Sequence, residues 1–206
     1  MLKKQMEKYI TSAIENQPTN EELTLVLFKE EKDYIKRNHL LPENKNITFL
    51  EKDSSLRFQE AYIERSDKET EELIAEEGPS FLTQPLKYLN NNQKEFVYLE
   101  SNWFDLTGVD GVSLEVDDVF MTYSVLLGLK LQKKYELPLK AFLDQHLNGE
   151  VPKYSLMFNQ NDGLWDVNFT LNYVEGFNKD MSMEEAYTII HRFIFNLVEV
   201  VEDAKA

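Results

Sequence analysis

The three histidines are the first residues to weigh for metal or acid–base chemistry. His39, His146 and His191 are far apart in the chain, and none lies in an H-x-x-x-H or H-E-x-x-H pattern. Structural zinc normally takes several Cys or His ligands, and the chain has no cysteine. The sequence therefore predicts no metal site, and it places His191, beside Ile190, at the boundary of the core.

A group of carboxylates in the middle of the chain admits two interpretations. Glu115, Asp117 and Asp118 could supply oxygen ligands to a hard cation such as Mg²⁺, which requires ligands that converge from several elements. They could equally lie in the first turns of a helix, where the macrodipole favours negative charge. We favour the second interpretation, which predicts a helix over residues 113–134 that Ser113 caps.

Glycine spacing argues against nucleotide-binding enzymes. A Rossmann turn or a P-loop needs glycines at fixed offsets, so that backbone amides can approach phosphate oxygens. The close pair Gly108 and Gly111 matches neither motif, and no G-x-G occurs. No G-x-S-x-G elbow is present either, so the sequence predicts no cofactor and favours no catalytic class.

The balance of charge makes nucleic acids and anionic membranes poor partners. Among 206 residues, 22 are Lys or Arg and 37 are Asp or Glu, which gives a formal net charge of −15. A protein that binds nucleic acid normally presents a basic stripe to the phosphates, whereas the short basic clusters here are flanked by acids. Solubility explains the charge by itself, and the functional alternative is a basic protein partner or a homo-oligomer.

The most acidic segment covers residues 66–78. A capping-box pattern opens it and Gly78-Pro79 closes it, so the sequence predicts a helix. Glu69, Glu72 and Glu76 would then repel one another along one face of that helix. A solvated face is one interpretation, and a binding site for a basic partner at these three glutamates is the functional one.

Hydrophobic periodicity predicts an α+β fold with an antiparallel sheet. Residues 153–174 alternate between apolar and polar side chains around Asn161-Asp162-Gly163, which predicts a β-hairpin. Ser182 and Glu185 form a capping box before a long amphipathic helix over residues 183–203. We expect this helix to pack on the apolar face of the hairpin. Three aromatic side chains should be buried there: Trp165, Phe169 and Phe193.

Weaker patterns predict the helices and strands of the rest of the chain. Residues 17–20 break the first helix, and residues 23–28 fit either a strand or the start of a helix, with a strand favoured. The spacing of apolar residues predicts helices at 2–16, 30–38 and 138–147 and strands at 47–50, 56–64 and 95–100.

These observations predict one α+β domain over residues 1–206, with the alternative that residues 1–100 form a loosely separate subdomain. The N-terminus lacks the apolar stretch of a signal peptide, and the longest apolar run is too short to cross a bilayer. Together with the absence of cysteine, this predicts a cytoplasmic protein with no membrane partner. The predicted function is non-catalytic, through protein–protein interaction or self-association. The alternative is a small enzyme or small-molecule-binding protein whose site uses dispersed carboxylates and aromatics.

Overall fold

The α+β fold class is confirmed by the computed structural model, which describes residues 1–16, 23–42, 47–150 and 152–204. The helices in this part of the chain are α1 Leu2–Glu15, α2 Lys29–Arg37, α3 Tyr88–Asn91, α4 Asn102–Thr107, α5 Glu136–His146 and α6 Met183–Asp203. The strands are β1 Leu23–Leu27, β2 Ile47–Glu51, β3 Tyr62–Asp67, β4 Leu73–Glu77, β5 Glu95–Glu100, β6 Val109–Val116, β7 Tyr123–Leu129, β8 Tyr154–Asn159 and β9 Leu164–Thr170.

Seven of these strands form one antiparallel sheet in the order β4-β3-β5-β6-β7-β9-β8. The predicted hairpin in the C-terminal half is confirmed as β8 and β9, which pair along their length. Asn161-Asp162-Gly163 lies in the turn between them. Gly163 has a φ of 69°, in the left-handed region that glycine adopts without steric cost.

The predicted capping box is present at the start of α6. Ser182 Oγ accepts a hydrogen bond from the Glu185 backbone N–H at 3.1 Å, and Glu185 Oε2 accepts one from the Ser182 N–H at 2.7 Å. The helix packs against the sheet, where the Phe169 and Phe193 rings lie 4.9 Å apart. Trp165, Phe169 and Phe193 are all buried, as the sequence predicts.

Helices cover one face of the seven-stranded sheet. Every second side chain in β6 and β7 is buried, including Val112, Leu114 and Val125, and the side chains between them are partly exposed. Successive side chains of a strand point to opposite faces, so this alternation means that the second face of the sheet meets solvent.

A smaller parallel sheet is formed by β1 and β2, with α2 as the connection between them. Residues 23–27 are therefore a strand, which decides between the two interpretations of this segment. The predicted helix break at residues 17–20 lies outside the described residues. Leu25 and Leu27 of β1 are buried in the same apolar cluster as Leu2 of α1 and Val201 of α6.

The helix predicted over residues 66–78 is wrong, since β3 and β4 pair there as an antiparallel hairpin. Asp67 Oδ1 accepts hydrogen bonds from the backbone N–H groups of Glu69 and Thr70 at 2.9 and 3.0 Å. The polar pattern that resembles a capping box therefore stabilises a turn between two strands. A helix here would also have had too few apolar side chains to stabilise it by packing.

The strand predicted over residues 56–64 is wrong in most of its length. Ser54–Leu56 forms a 3-10 turn, in which Asp53 Oδ1 accepts a hydrogen bond from the Ser55 N–H at 3.0 Å. Phe58 then enters the core, and the strand β3 begins only at Tyr62. The apparent alternation came from a turn followed by an unrelated strand.

The helix predicted over residues 113–134 is also wrong, because β6 and β7 form a hairpin in this region. Asp117 Oδ1 accepts hydrogen bonds from the N–H groups of Val119 and Phe120 at 2.9 and 2.8 Å and so turns the chain. Asp117 thus stabilises a turn and not the beginning of a helix. The apolar residues on both sides recur with period two, which favours strands.

Candidate functional site: an acidic face of the sheet

The solvent-facing side of the sheet carries three glutamates on adjacent strands. Glu64 of β3 lies directly opposite Glu76 of β4 on one side and opposite Tyr98 of β5 on the other. Tyr62 of β3 lies opposite Glu100 of β5. Paired residues and residues two apart share a face of a sheet, so these five side chains form one surface, here called the acidic face.

The two tyrosines of the acidic face hold its carboxylates in place. Tyr62 Oη donates a hydrogen bond to Glu64 Oε2 at 2.7 Å, and Tyr98 Oη donates one to Glu100 Oε1 at 2.8 Å. The Tyr98 ring lies over Gly111 of β6, where any side chain larger than hydrogen would overlap it. Glycine at this position therefore lets the tyrosine lie flat along the sheet.

The pKa values of these tyrosines report a negative potential at the acidic face. The hydrogen bond to Glu64, followed by burial and by the charges of Glu64, Glu76 and Glu100, raises the pKa of Tyr62 to about 12. Burial, then the hydrogen bond and charge of Glu100, raises the pKa of Tyr98 well above its ordinary value. Ionising either phenol would add a further negative charge beside existing ones.

No cation of the described residues neutralises the glutamates of the acidic face. Salt bridges in this part of the chain include none with Glu64, Glu76 or Glu100. The nearby Lys68 is engaged elsewhere, 3.1 Å from Asp118 and 3.7 Å from Glu115. Like charges directly opposite in a sheet are destabilising, so the fold tolerates an unfavourable pair at Glu64 and Glu76.

A cleft extends the acidic face beyond the end of β5. It has a volume of about 390 Å³ and shares Tyr62 and Glu100 with that face. Glu60, Asp105 and Asp110 add three further carboxylates to its lining, and one of them, Asp110, pairs with Lys130. Burial, and next the charge of Asp110, raises the pKa of Asp105. The carboxylates around this cleft would favour a positively charged side chain over a negative or apolar one.

The three glutamates that the sequence selects as a partner site are all exposed, but they do not share a helix face. Glu69 lies in the turn between β3 and β4, Glu72 precedes β4, and Glu76 lies within β4. Only Glu76 belongs to the acidic face. Glu72 and Glu76 are four positions apart in extended chain, a distance of about 13 Å. The residues missed by the sequence, Glu64 and Glu100, join Glu76 only through strand register.

A second cluster, buried beneath the helices, is centred on Arg57. Its Nη1 donates to Glu31 Oε1 at 2.6 Å and its Nη2 to Glu30 Oε2 at 2.6 Å. The guanidinium carbon lies 4.2 Å from the centre of the Phe28 ring. Burial raises the pKa of the Glu31 carboxyl, and the charge of Arg57 opposes that rise. Arg57 therefore stabilises a carboxylate that would otherwise be unpaired in the core.

His191 belongs to this buried cluster, so its predicted place at the core boundary is wrong. The side chain is fully buried, with Nε2 3.1 Å from the Trp103 carbonyl oxygen and 3.3 Å from Arg57 Nη1. Burial, and then the charge of Arg57, lowers the pKa of His191 well below its ordinary value. The cluster connects α2, the segment before β3, α4 and α6, which indicates a role in holding these elements together.

The carboxylates and histidines of the described residues do not converge as metal ligands. These residues contain no group of three or more His, Asp or Glu side chains arranged to hold a metal ion. Glu115 and Asp118 flank Lys68, and Asp117 bonds its own turn. In the same part of the chain, every helix is too short or too polar to cross a bilayer.

Comparison with known proteins finds no match, whether to a family model, to a curated protein or to a solved structure. Function is therefore inferred from the residues and their geometry alone.

Proposed function

We propose that this chain is a non-catalytic binding protein whose acidic face receives a Lys- or Arg-rich segment of a protein partner. One observation carries the proposal: Glu64, Glu76 and Glu100 are adjacent, exposed or half-exposed, and without a cation among the described residues. A basic segment would relieve their mutual repulsion and pair with each carboxylate.

The tyrosines support a protein partner for the acidic face. Tyr62 and Tyr98 present rings beside the carboxylates, and aromatic faces attract the side chains of arginine and lysine. Tyrosine is also enriched at protein interfaces because it gives a large contact area at a low cost in conformational entropy. The same negative surface would repel nucleic acid, and a cytoplasmic partner is the simplest choice for a chain without cysteine.

An enzyme is the less favoured function because the candidate groups do not converge on a reaction centre. The fully buried carboxylate Glu31 is bound by Arg57, and buried His191 is close to the same guanidinium. The open carboxylates lie along a sheet surface and not around a closed pocket. A surface of this kind favours binding over chemistry.

The proposal can be tested with a defined basic probe, a fluorescently labelled oligolysine peptide. The triple variant Glu64→Gln, Glu76→Gln and Glu100→Gln should bind it about tenfold more weakly, since each exposed ion pair contributes roughly 0.2–1 kcal/mol. Binding to the unmodified protein should weaken as NaCl rises from about 0.05 M to about 0.5 M, because salt screens exposed charges. Fluorescence anisotropy measures both effects.

A matched control separates the acidic face from net charge. Glu7, Glu15 and Glu150 are exposed and form no salt bridge within the described residues. Replacing all three with Gln changes the net charge from −15 to −12, as the first triple does, because each exchange removes one negative charge. Equal losses of affinity for the two triples would contradict the proposal.

A further inference from the structure

The turn between β6 and β7 displays apolar side chains to solvent. Val119, Phe120 and Met121 are 80%, 70% and 47% exposed, in a segment here called the finger, residues 117–122. Its backbone is held by hydrogen bonds, including one from the Met121 N–H to the Asp117 carbonyl oxygen at 2.8 Å. An exposed phenylalanine on a backbone that is already fixed leaves less conformational freedom to lose on binding, which suits an anchor at an interface.

A cleft of about 490 Å³ lies between α5, α6 and residues 174–176. Phe142, Phe193 and Val174 contribute apolar groups to its lining, and His146 and Arg192 contribute polar ones. The other three arginines of the chain each pair with at least one carboxylate, but Arg192 has no salt bridge or hydrogen bond to any described residue. The cleft therefore combines an apolar floor with the unpaired cation Arg192 and one carboxylate, Glu175.

The base of the finger contacts the segment that borders the cleft. The ring of Tyr123, directly after the finger, is 6.0 Å from the ring of Phe177, directly after the segment that lines the cleft. The Tyr123 N–H also donates to Asn172 Oδ1 at 2.7 Å. A twofold dimer requires a patch that is complementary to itself, with the two matching features side by side on each copy.

We propose that the chain forms a twofold dimer in which the finger of each copy enters the cleft of the other. Phe120 would lie on the apolar floor. Asp118 pairs with Lys68 through Oδ1 at 3.1 Å, but its side chain is 64% exposed, and its carboxylate would also face Arg192. The exposed Phe120 is complementary to the apolar floor, and the exposed carboxylate of Asp118 is complementary to the unpaired Arg192. Both features belong to the same chain, which selects a second copy as the occupant. This interface does not use the acidic face and does not depend on the function proposed for it.

Sedimentation velocity over a range of protein concentrations tests the apolar contact. The unmodified chain should form dimers, and Phe120→Ser should raise the dimer dissociation constant at least tenfold, as expected for a buried aromatic anchor that occurs twice per dimer. Leu137→Ser is the matched control, since Leu137 is 78% exposed on α5 and outside both features. A monomer at all concentrations, or equal effects of the two variants, would overturn the proposal.

Exchanging the charges of Asp118 and Arg192 tests whether these two side chains meet across the dimer interface. Asp118→Arg and Arg192→Asp should each dissociate the dimer, because like charges would face each other at both contacts. A mixture of the two variants should restore it, because the introduced arginine of one copy would face the introduced aspartate of the other and the second contact would be native. Circular dichroism would establish that both variants fold. Failure of the folded mixture to dimerise would refute the pairing, whereas the triple variant of the acidic face should dimerise normally.

Discussion

Replacing Arg57 with Met should destabilise the protein strongly and in a pH-dependent way. Arg57 is 2% exposed and Glu31 is fully buried, and the two are joined by hydrogen bonds at 2.6 and 3.2 Å. Methionine would fill much of the same space but would leave the Glu31 carboxylate without its cation. Removing one partner of a buried ion pair costs about 3–5 kcal/mol of unfolding free energy.

The protonation of Glu31 gives an independent value for this loss. In the folded variant His191, with Nε2 3.7 Å from Glu31 Oε1, would not replace the lost cation, because burial lowers the pKa of His191. The Glu31 carboxyl should therefore be neutral, whereas in the unfolded chain it ionises with a pKa near 4.5. A pH of 7 lies roughly 2.5 units above the pKa in the unfolded chain, and each unit costs about 1.4 kcal/mol. Keeping the carboxyl neutral at pH 7 therefore lowers the free energy of unfolding by about 3.5 kcal/mol. At pH 5 the same cost falls to about 0.7 kcal/mol.

The raised pKa of Glu31 in the folded variant determines whether the loss of stability grows or shrinks as the pH falls. Such a group stabilises the fold fully below its unfolded pKa, and this stabilisation is lost as pH rises toward the folded pKa. The destabilisation by Arg57→Met should thus shrink by about 2–3 kcal/mol between pH 7 and pH 5. Loss of Arg57 also removes one cause that lowers the pKa of His191, which acts in the same direction.

Urea denaturation at pH 5, 6 and 7 measures these differences. Arg37→Met is the matched control, because Arg37 pairs with Glu199 at 2.8 Å but its side chain is 59% exposed. Its loss should lower the free energy of unfolding by less than about 1 kcal/mol at every pH. The double variant Arg57→Met with Glu31→Leu should recover most of the stability and lose the part of the pH dependence that comes from Glu31. A pH-independent loss in the single variant would refute this account of the cluster.

Two further predictions concern the acidic face. Glu64→Gln should lower the pKa of Tyr62 from about 12 toward its ordinary value near 10, because it removes first the hydrogen bond to a carboxylate and then the negative charge of Glu64. An ultraviolet titration that leaves the tyrosine transition unchanged would contradict this. Gly111→Ala should destabilise the protein relative to Gly78→Ala, because its methyl group would displace the outer end of the Tyr98 ring and with it the hydrogen bond to Glu100, which contributes roughly 0.5–1.5 kcal/mol. Gly78→Ala, with no atom within 4 Å of the new methyl group, should change the stability by less than about 1 kcal/mol, and equal effects in thermal denaturation would argue against the contact.

In the elements that the sequence predicts correctly, the apolar residues recur at one regular spacing, and turn or capping residues mark where the element begins or ends. From Trp165 to Thr170 β9 alternates between apolar and polar side chains without exception, the β8–β9 turn contains glycine, and α6 begins at a complete capping box. Both elements also bury their apolar side chains against each other, so local preference and tertiary packing agree.

The two wrong helices show where local patterns mislead. Residues 66–78 and 113–134 both contain an aspartate, Asp67 or Asp117, whose side chain bonds the N–H groups two and three residues further on. A helix cap and a hairpin turn use the same short polar residues, and only the pairing of the flanking strands decides between them.

The candidate site depends on contacts between segments that are distant in sequence. Glu64, Glu76 and Glu100 meet because β3 lies between β4 and β5, an order that no local motif specifies. The same holds for Arg57, which meets Glu31 and His191 from 26 and 134 residues away. Composition could indicate an acidic surface, but the strand register decides which acids are adjacent.

The most direct test of the proposed function is a map of where a basic peptide binds. Titration of the isotopically labelled protein with oligolysine, followed by ¹H–¹⁵N NMR, reports the affected backbone amides. The proposal predicts that the largest shifts lie in β3, β4 and β5 around Glu64, Glu76 and Glu100, and that they disappear in the triple Gln variant. Shifts spread evenly over the acidic residues of the whole surface, or centred away from these strands, would contradict it.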